Sequence, residues 1–494
     1  VPPRLPRHTA IHTLTKHMMD FNRIAALLAG AALYVSAAAI TPQQAVDKFA
    51  ADSMFRHASI GVAVSDVGAD TLTAGFAPDQ SQITASTMKT LTSAAALRTL
   101  GPDFKFHTRV MLHGTVDGSS LKGDVVIVGG GDPTLGSAYF KDAPDIVAEV
   151  VDSLTARGIK KINGRLVVND SIYPYPAHNG WWQVDDLAWD YGMGLHGLNY
   201  SDNRVMLNFN VSGSHLTNVR LVPDVPGLEV VDRLSPGRAD NVNVELEPSR
   251  PALVVTGTGD PMESYKLRVA NPTPGALLVD SLERAMATAE IKVRHRDHAV
   301  RFDDGQTDTL TLLVDHESPR LSRIISSLLE RSDNMFTEGV LRAVAVDCGR
   351  KAPTFADGTQ VADSLWRAAG LDTRALFQYD GSGLARANKA SARFFTQALN
   401  YMAGRKFGGW RLCDLMPRVG VNARIGTLLP GSALSGKVAV KSGSMTDVQC
   451  YVGYYPADAP RYSFAVLVNN WNGSRKAVKN RIDQLLLDLF GGEK

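Results

Sequence analysis

The chain has 494 residues, 44% of them hydrophobic and 21% charged, with a formal net charge of +2. That length exceeds one ordinary core, so two or three domains are expected, and the mix excludes a disordered chain. Part of the positive charge sits in the first residues and no basic stripe follows, which excludes nucleic acid as the main partner.

In chain order, Arg23 precedes an apolar run over residues 24–35, and Ala37-Ala38-Ala39 follows. A basic start, a short apolar core and small residues at an A-x-A site describe a secretory signal peptide. The run is shorter than the roughly 20 residues that a bilayer span needs. Residues 1–39 are therefore read as a leader, with Met18 or Met19 as the expected start and cleavage near Ala39. The expected product is exported to the periplasm and keeps no transmembrane span. An exported chain can pair two of Cys348, Cys413 and Cys450, but the reading favoured here is buried structural thiols without metal spacing.

Residues 41–100 read as a helix, a β-hairpin around Gly68-Ala69-Asp70 and a second helix from Thr87, stopped by Gly101-Pro102. Short alternating strands then recur from 104 to 298, as in 107–112 and 124–128. Regular helix is expected to return at Ser318-Pro319, an N-cap followed by Pro at the first helical position. Leu321, Ile324, Ile325, Leu328 and Leu329 give that helix an apolar face. Three strands, at 438–440, 450–454 and 464–468, precede a terminal helix with Val478, Ile482, Leu485, Leu486 and Leu489 on one side. The expected fold is α/β (α+β), with a split domain at 40–103 and 299–494 and a β-rich insertion at 104–298.

Three motifs carry the chemistry. Ser86-Thr87-Met88-Lys89 opens a predicted helix, which puts Ser86 and Lys89 on one face. A serine hydroxyl is a weak nucleophile and needs a base, and a lysine serves only when burial or nearby positive charge makes it neutral. Ser332-Asp333-Asn334 lies between two helices, where Ser332 can shuttle a proton and Asn334 can orient Lys89. Lys441-Ser442-Gly443-Ser444 ends a predicted strand. There Lys441 and Ser442 can bind a carboxylate and Gly443 can let a substrate backbone lie close. The N–H of Ser444 can pair with that of Ser86 as an oxyanion hole. Each motif alone is a cap or a turn; S-x-x-K, S-D-N and K-S-G in that order form the pattern of serine enzymes that attack stem peptides or β-lactams.

These motifs and their surroundings resemble the class C low-molecular-mass penicillin-binding proteins, the peptidase S13 family of D-alanyl-D-alanine carboxypeptidase/endopeptidases. The likeness extends to Gly129-Gly130-Gly131-Asp132-Pro133-Thr134-Leu135, to Ser318-Pro319-Arg320-Leu321, and to the run from Tyr379-Asp380-Gly381-Ser382-Gly383 to Arg386-Ala387-Asn388. It implies a penicillin-recognising serine transpeptidase/β-lactamase-like domain split by the insertion, with no cofactor. It implies acylation of Ser86 by peptidoglycan stem peptides and cross-links, and covalent inhibition by β-lactams. It also implies that Arg386 and Met445 line the pocket for the donor side chain, with Asp170 reaching it from the insertion. Ser442 stands where the family more often has Thr, keeping the hydroxyl, and Ala385 where it often has Ser. The rival readings are a β-lactamase with the same acylation machinery and a non-catalytic muropeptide-binding scaffold.

Overall fold

The computed structural model describes residues 40–237, 240–261, 264–294 and 310–492. The leader and its cleavage near Ala39 lie outside the described residues. Strands buried on both faces need apolar side chains throughout, and Val448–Tyr455 and Tyr462–Asn469 are buried almost end to end. They sit inside an antiparallel five-stranded sheet in the order Ala439–Met445, Val448–Tyr455, Tyr462–Asn469, Ser59–Asp66, Thr71–Phe76. Ser59 lies opposite Asn469 and Asp66 opposite Tyr462, so the first strand pairs with the last.

Helices cover both faces of this sheet. On one side Pro42–Ala50 and Arg475–Phe490 pack over Val62, Val64, Phe464, Val466 and Val468. The expected face of the terminal helix, Val478 to Leu489, is the buried one. The other side carries Ala392–Ala403 and a helical cluster of Met88–Thr99, Leu321–Arg331 and Asn334–Asp347. From Met88 to Leu97 every residue of Met88–Thr99 is buried. A helix enclosed all round needs small residues on every side, which accounts for its Thr, Ser and Ala content and its lack of a polar face.

Between Met88–Thr99 and Leu321–Arg331 the chain builds three further sheets. One contains His107–Asp117, Ser120–Val128, Leu166–Asn169 and Leu310–Glu317; the others join Arg204–Ser212 with His215–Val222 and Ser264–Ala270, and Ala252–Gly257 with its two neighbours. Two expectations need correcting here. Leu310–Glu317 pairs antiparallel with His107–Asp117, so it belongs with the inserted sheets and not with the catalytic part that starts at 299 in the sequence reading. The helix after it begins at Leu321 with Arg320 as N-cap. Ser318 is drawn instead into accepting a 2.9 Å bond from the Phe106 N–H, which ties the exit of the insertion to its entrance.

The glycine-rich run after Ser120–Val128 docks the insertion onto the body. A Cβ at Gly339, in Asn334–Asp347, would stand 2.8 Å from Pro133 Cγ, so only glycine lets the two segments approach this closely. All three cysteines are free; Cys413 and Cys450 are buried as expected, whereas Cys348 is exposed at a helix end.

Candidate active site

Ser86 lies in the tight turn Ala85–Thr87 that leads into Met88–Thr99. Ala85 has φ +45°, a left-handed conformation that a non-glycine residue holds only when its surroundings enforce it. Two glycines do the enforcing. A Cβ at Gly443 would lie 2.6 Å from the Thr84 oxygen and 3.0 Å from the Ser86 nitrogen, and one at Gly383 (φ +80°) would lie 1.9 Å from the Ala85 oxygen. The role expected of Gly443 is therefore altered: its bare face admits the serine turn itself, so the strand Ala439–Met445 abuts Ser86.

Lys89 follows one turn later and is fully buried. Its Nζ donates to Ser86 Oγ at 3.0 Å, to Asn334 Oδ1 at 2.5 Å and to the Ser382 carbonyl at 2.6 Å. Burial disfavours the ammonium and pulls its pKa down to about 8, against the opposing pull of Asp380, Glu338 and Asp333.

Asn334 opens its helix because Asp333 caps it, accepting from the Phe336 N–H at 3.0 Å. The same Asp333 pairs at 3.0 Å with Arg204 of the insertion. Asn334 Nδ2 donates to the Tyr191 carbonyl at 2.7 Å, so this side chain links the insertion to Lys89. Ser332, with φ +59°, ends the preceding helix in the left-handed region. Its Oγ accepts from Lys441 Nζ at 3.0 Å. Lys441 is also buried and donates to its neighbour's carbonyl, that of Ser442, at 2.7 Å. Burial first, and then the charges of Lys89 and Arg424, hold its pKa well below the usual lysine value.

The motif residues expected to act together are thus brought together. Ser86, Ser332, Asn334, Ser444, Met445 and Arg386 share the wall of one cleft of about 330 Å³, closed on the insertion side by Gln183, Asp186 and Tyr191. Arg386 Nη2 donates to the Thr446 carbonyl at 3.1 Å, and Ser444 Oγ to Gln449 at 2.8 Å. Asp170 is the exception. It borders a separate cavity with Tyr175, His196 and Pro272, and takes a 2.8 Å bond from the Tyr175 hydroxyl. The inserted acid that faces the cleft is Asp186, because the loop after Asn169 turns away before it returns at 183–191.

Two buried acids have roles that the sequence did not disclose, Glu338 and the Asp380 of the Tyr379-Asp380-Gly381 run. Glu338 accepts from the N–H groups of Gly381 and Ser382, at 3.0 and 2.7 Å. Burial and the charge of Asp380 raise its pKa to about 7. Asp380 accepts from the N–H groups of Gly383 and Ala385, from Trp182 Nε1 and from Asn388 Nδ2, at 2.6–2.9 Å. Together they shape the segment whose Ser382 carbonyl holds Lys89. A signal was available for Glu338, which stands four residues after Asn334 and so on the same helix face. Among the described residues no group of His, Cys, Asp and Glu is arranged to hold a metal ion.

Residues 42–489 match the D-Ala-D-Ala carboxypeptidase 3 (S13) family. The chain belongs to this family. Within the S13 family, the D-alanyl-D-alanine carboxypeptidase of Actinomadura sp. (strain R39) is 25% identical over 471 residues, 90% of this chain and 84% of that protein. D-alanyl-D-alanine carboxypeptidase DacB of Haemophilus influenzae is 23% identical over 428 residues, 84% and 86% of the two chains. The crystal structure of penicillin-binding protein 4 (DacB) from Haemophilus influenzae shares the fold with a TM-score of 0.77 at 20% identity, over 90% of this chain and 98% of that one. Its complex with a β-lactam gives 0.73. The S13 fold, α+β with a serine at a helix start, is the one expected from the sequence.

Proposed function

We propose that this S13 protein is an exported serine D-alanyl-D-alanine carboxypeptidase that also cleaves stem-peptide cross-links, through an acyl-enzyme on Ser86. The single observation carrying the reading is the Lys89 amine, fully buried and 3.0 Å from Ser86 Oγ. With a pKa of about 8, roughly a tenth of that amine is neutral at pH 7, against less than about a thousandth for an unperturbed lysine.

Neutral Lys89 accepts the Ser86 hydroxyl proton as Oγ attacks the carbonyl of the penultimate D-alanine. The N–H groups of Ser86 and Ser444 receive the developing oxyanion. The C–N bond then breaks and the leaving amine takes a proton relayed from Lys89 through Ser332, freeing D-alanine. Water attacks the resulting ester, Lys89 takes its proton, and Oγ is protonated again. Lys441 and Ser442 bind the terminal carboxylate; the bond from Lys441 to Ser332 also keeps the relay hydroxyl in place. A β-lactam enters by the same attack, but its amine stays tethered, so the adduct persists.

Incubation with penicillin followed by peptide mass spectrometry tests this reading. The expected result is one β-lactam mass on the Ser86 peptide, none on Ser86→Ala, and release of D-alanine from an acylated D-Ala-D-Ala peptide by the wild type only. An unmodified wild-type Ser86 would overturn it. Fast multiple turnover of a chromogenic cephalosporin would replace it with a β-lactamase.

A further inference from the structure

Besides the Ser86 cleft and the cavity at Asp170 there is a third cavity, of about 290 Å³, whose walls include Tyr175, Trp181, Tyr379, Gln378, Phe355 and Arg342. Aromatic rings usually hide their area, yet Trp181 is 57% and Tyr175 58% exposed here. Trp181 rests on Tyr379 with ring centroids 4.4 Å apart, which fixes its orientation and leaves its remaining surface open.

The inner wall is polar and incompletely satisfied. Arg342 is 1% exposed, and its Nε and Nη1 have no hydrogen-bond partner. Its guanidinium lies 3.9 Å from the Phe355 ring centroid and 4.8 Å from that of Tyr173. Gln378 Oε1 and His178 Nε2 are likewise buried without partners. Unanswered donors and acceptors under an aromatic wall are costly unless something polar completes them. The nearby Asp357 is already engaged by Thr354, accepting from its N–H and hydroxyl.

We propose that this cavity is a saccharide subsite that takes one N-acetylated hexosamine ring of the peptidoglycan glycan strand. A pyranose presents C–H faces to Trp181 and Tyr175. Its acetamido group offers a carbonyl to the Arg342 side and an N–H to the Gln378 side. A sugar without that group leaves both unanswered. The inference rests on the stem-peptide reading of the Ser86 cleft, and the two cavities are close together along the chain. Two neighbouring segments run from one to the other: residues 378–386 carry Tyr379 at the sugar cavity and Gly383 at the cleft, while 179–191 carry Trp181 and then Gln183. Four residues span at most about 14 Å. A stem peptide whose fourth residue is attacked by Ser86 has a similar maximum reach back to its sugar.

Titration calorimetry on the full chain tests the proposal, with a peptide-free N-acetylglucosaminyl–N-acetylmuramyl disaccharide as ligand and maltotetraose, which lacks acetamido groups, as control. The wild type is expected to bind the disaccharide at least 10-fold more tightly than maltotetraose. Trp181→Ala and Tyr175→Ala should each weaken disaccharide binding 10-fold or more and raise KM for a disaccharide-linked pentapeptide by a similar factor. Both should leave penicillin acylation of Ser86, and D-alanine release from a sugar-free peptide, within 2-fold of wild type. Absence of disaccharide binding, equal binding of maltotetraose, or unchanged affinity in Trp181→Ala would each overturn the subsite. None of these outcomes touches the Ser86 chemistry, whose failure shows separately in the penicillin and sugar-free peptide assays.

Discussion

Around Ser86 the charged side chains are buried and answered, whereas several ion pairs of the inserted sheets lie at the surface. Lys89 has three acceptors, Glu338 two backbone donors and Asp380 four donors in all. In the insertion, pairs such as Lys122–Asp117 and Arg250–Glu229 are largely exposed. Exposed pairs contribute about 0–1 kcal/mol each, while removing one partner of a buried set costs about 3–5 kcal/mol. The body is thus organised in advance for proton transfer, and the insertion supplies one wall of the cleft and part of the wall of a neighbouring cavity. Arg204, mostly buried against Asp333, is the charged seam between them.

The sharpest way to break that contrast is Lys89→Ala. Loss of a positioned base removes about 10²–10⁴ in rate. Penicillin acylation, followed by mass spectrometry over time, should slow by that range while the melting curve stays cooperative. A wild-type acylation rate in this variant would place the base elsewhere.

A smaller effect tests whether the buried acids tune the lysine. The amine must be neutral to act, so acylation should rise with pH through about 8. Ionised Glu338 favours the proton on Lys89; removing that charge by Glu338→Gln lowers the lysine pKa. The acid limb of the pH–rate profile should then move to lower pH, even though the weakened hold on Gly381 and Ser382 reduces the plateau. A merely structural role for Glu338 would lower the plateau and leave the midpoint in place.

What the sequence revealed divides along the same line. The motif residues are legible because proton-transfer chemistry restricts residue type and spacing, and because chain order is visible directly. The terminal strands and the face of Arg475–Phe490 are legible because burial imposes periodicity. Leu310–Glu317 is not, since its partner strand lies some two hundred residues earlier and nothing in its own pattern names that partner. Gly443 was read for substrate, because its closeness to the Ser86 turn arises only once strand and helix pack together. Asp170 lines a cavity other than the one expected, because an acid's address depends on the path of its loop, which residue type does not encode.

Asp186 and Asp170 of the insertion should differ in effect, and here the expected change is mildest. Asp186 reaches the cleft, held by a 3.0 Å bond from the Tyr191 hydroxyl, and the Tyr191 carbonyl in turn accepts from Asn334. Asp186 lines the same cleft as Arg386 and Met445, where a carboxylate would pair with an ammonium group on a bound side chain. Asp186→Ala should therefore raise KM for a stem peptide with an amino-bearing side chain by about 5–10-fold, the scale of one partly exposed charged contact. Penicillin, which lacks that side chain, should acylate the variant within 2-fold of wild type. Asp170→Ala should change neither measurement by more than 2-fold, because its carboxylate faces Tyr175 in the neighbouring cavity. A larger KM effect in Asp170→Ala than in Asp186→Ala would mean that the insertion presents its other acid to substrate, and that the wall at Gln183, Asp186 and Tyr191 moves aside when the peptide binds.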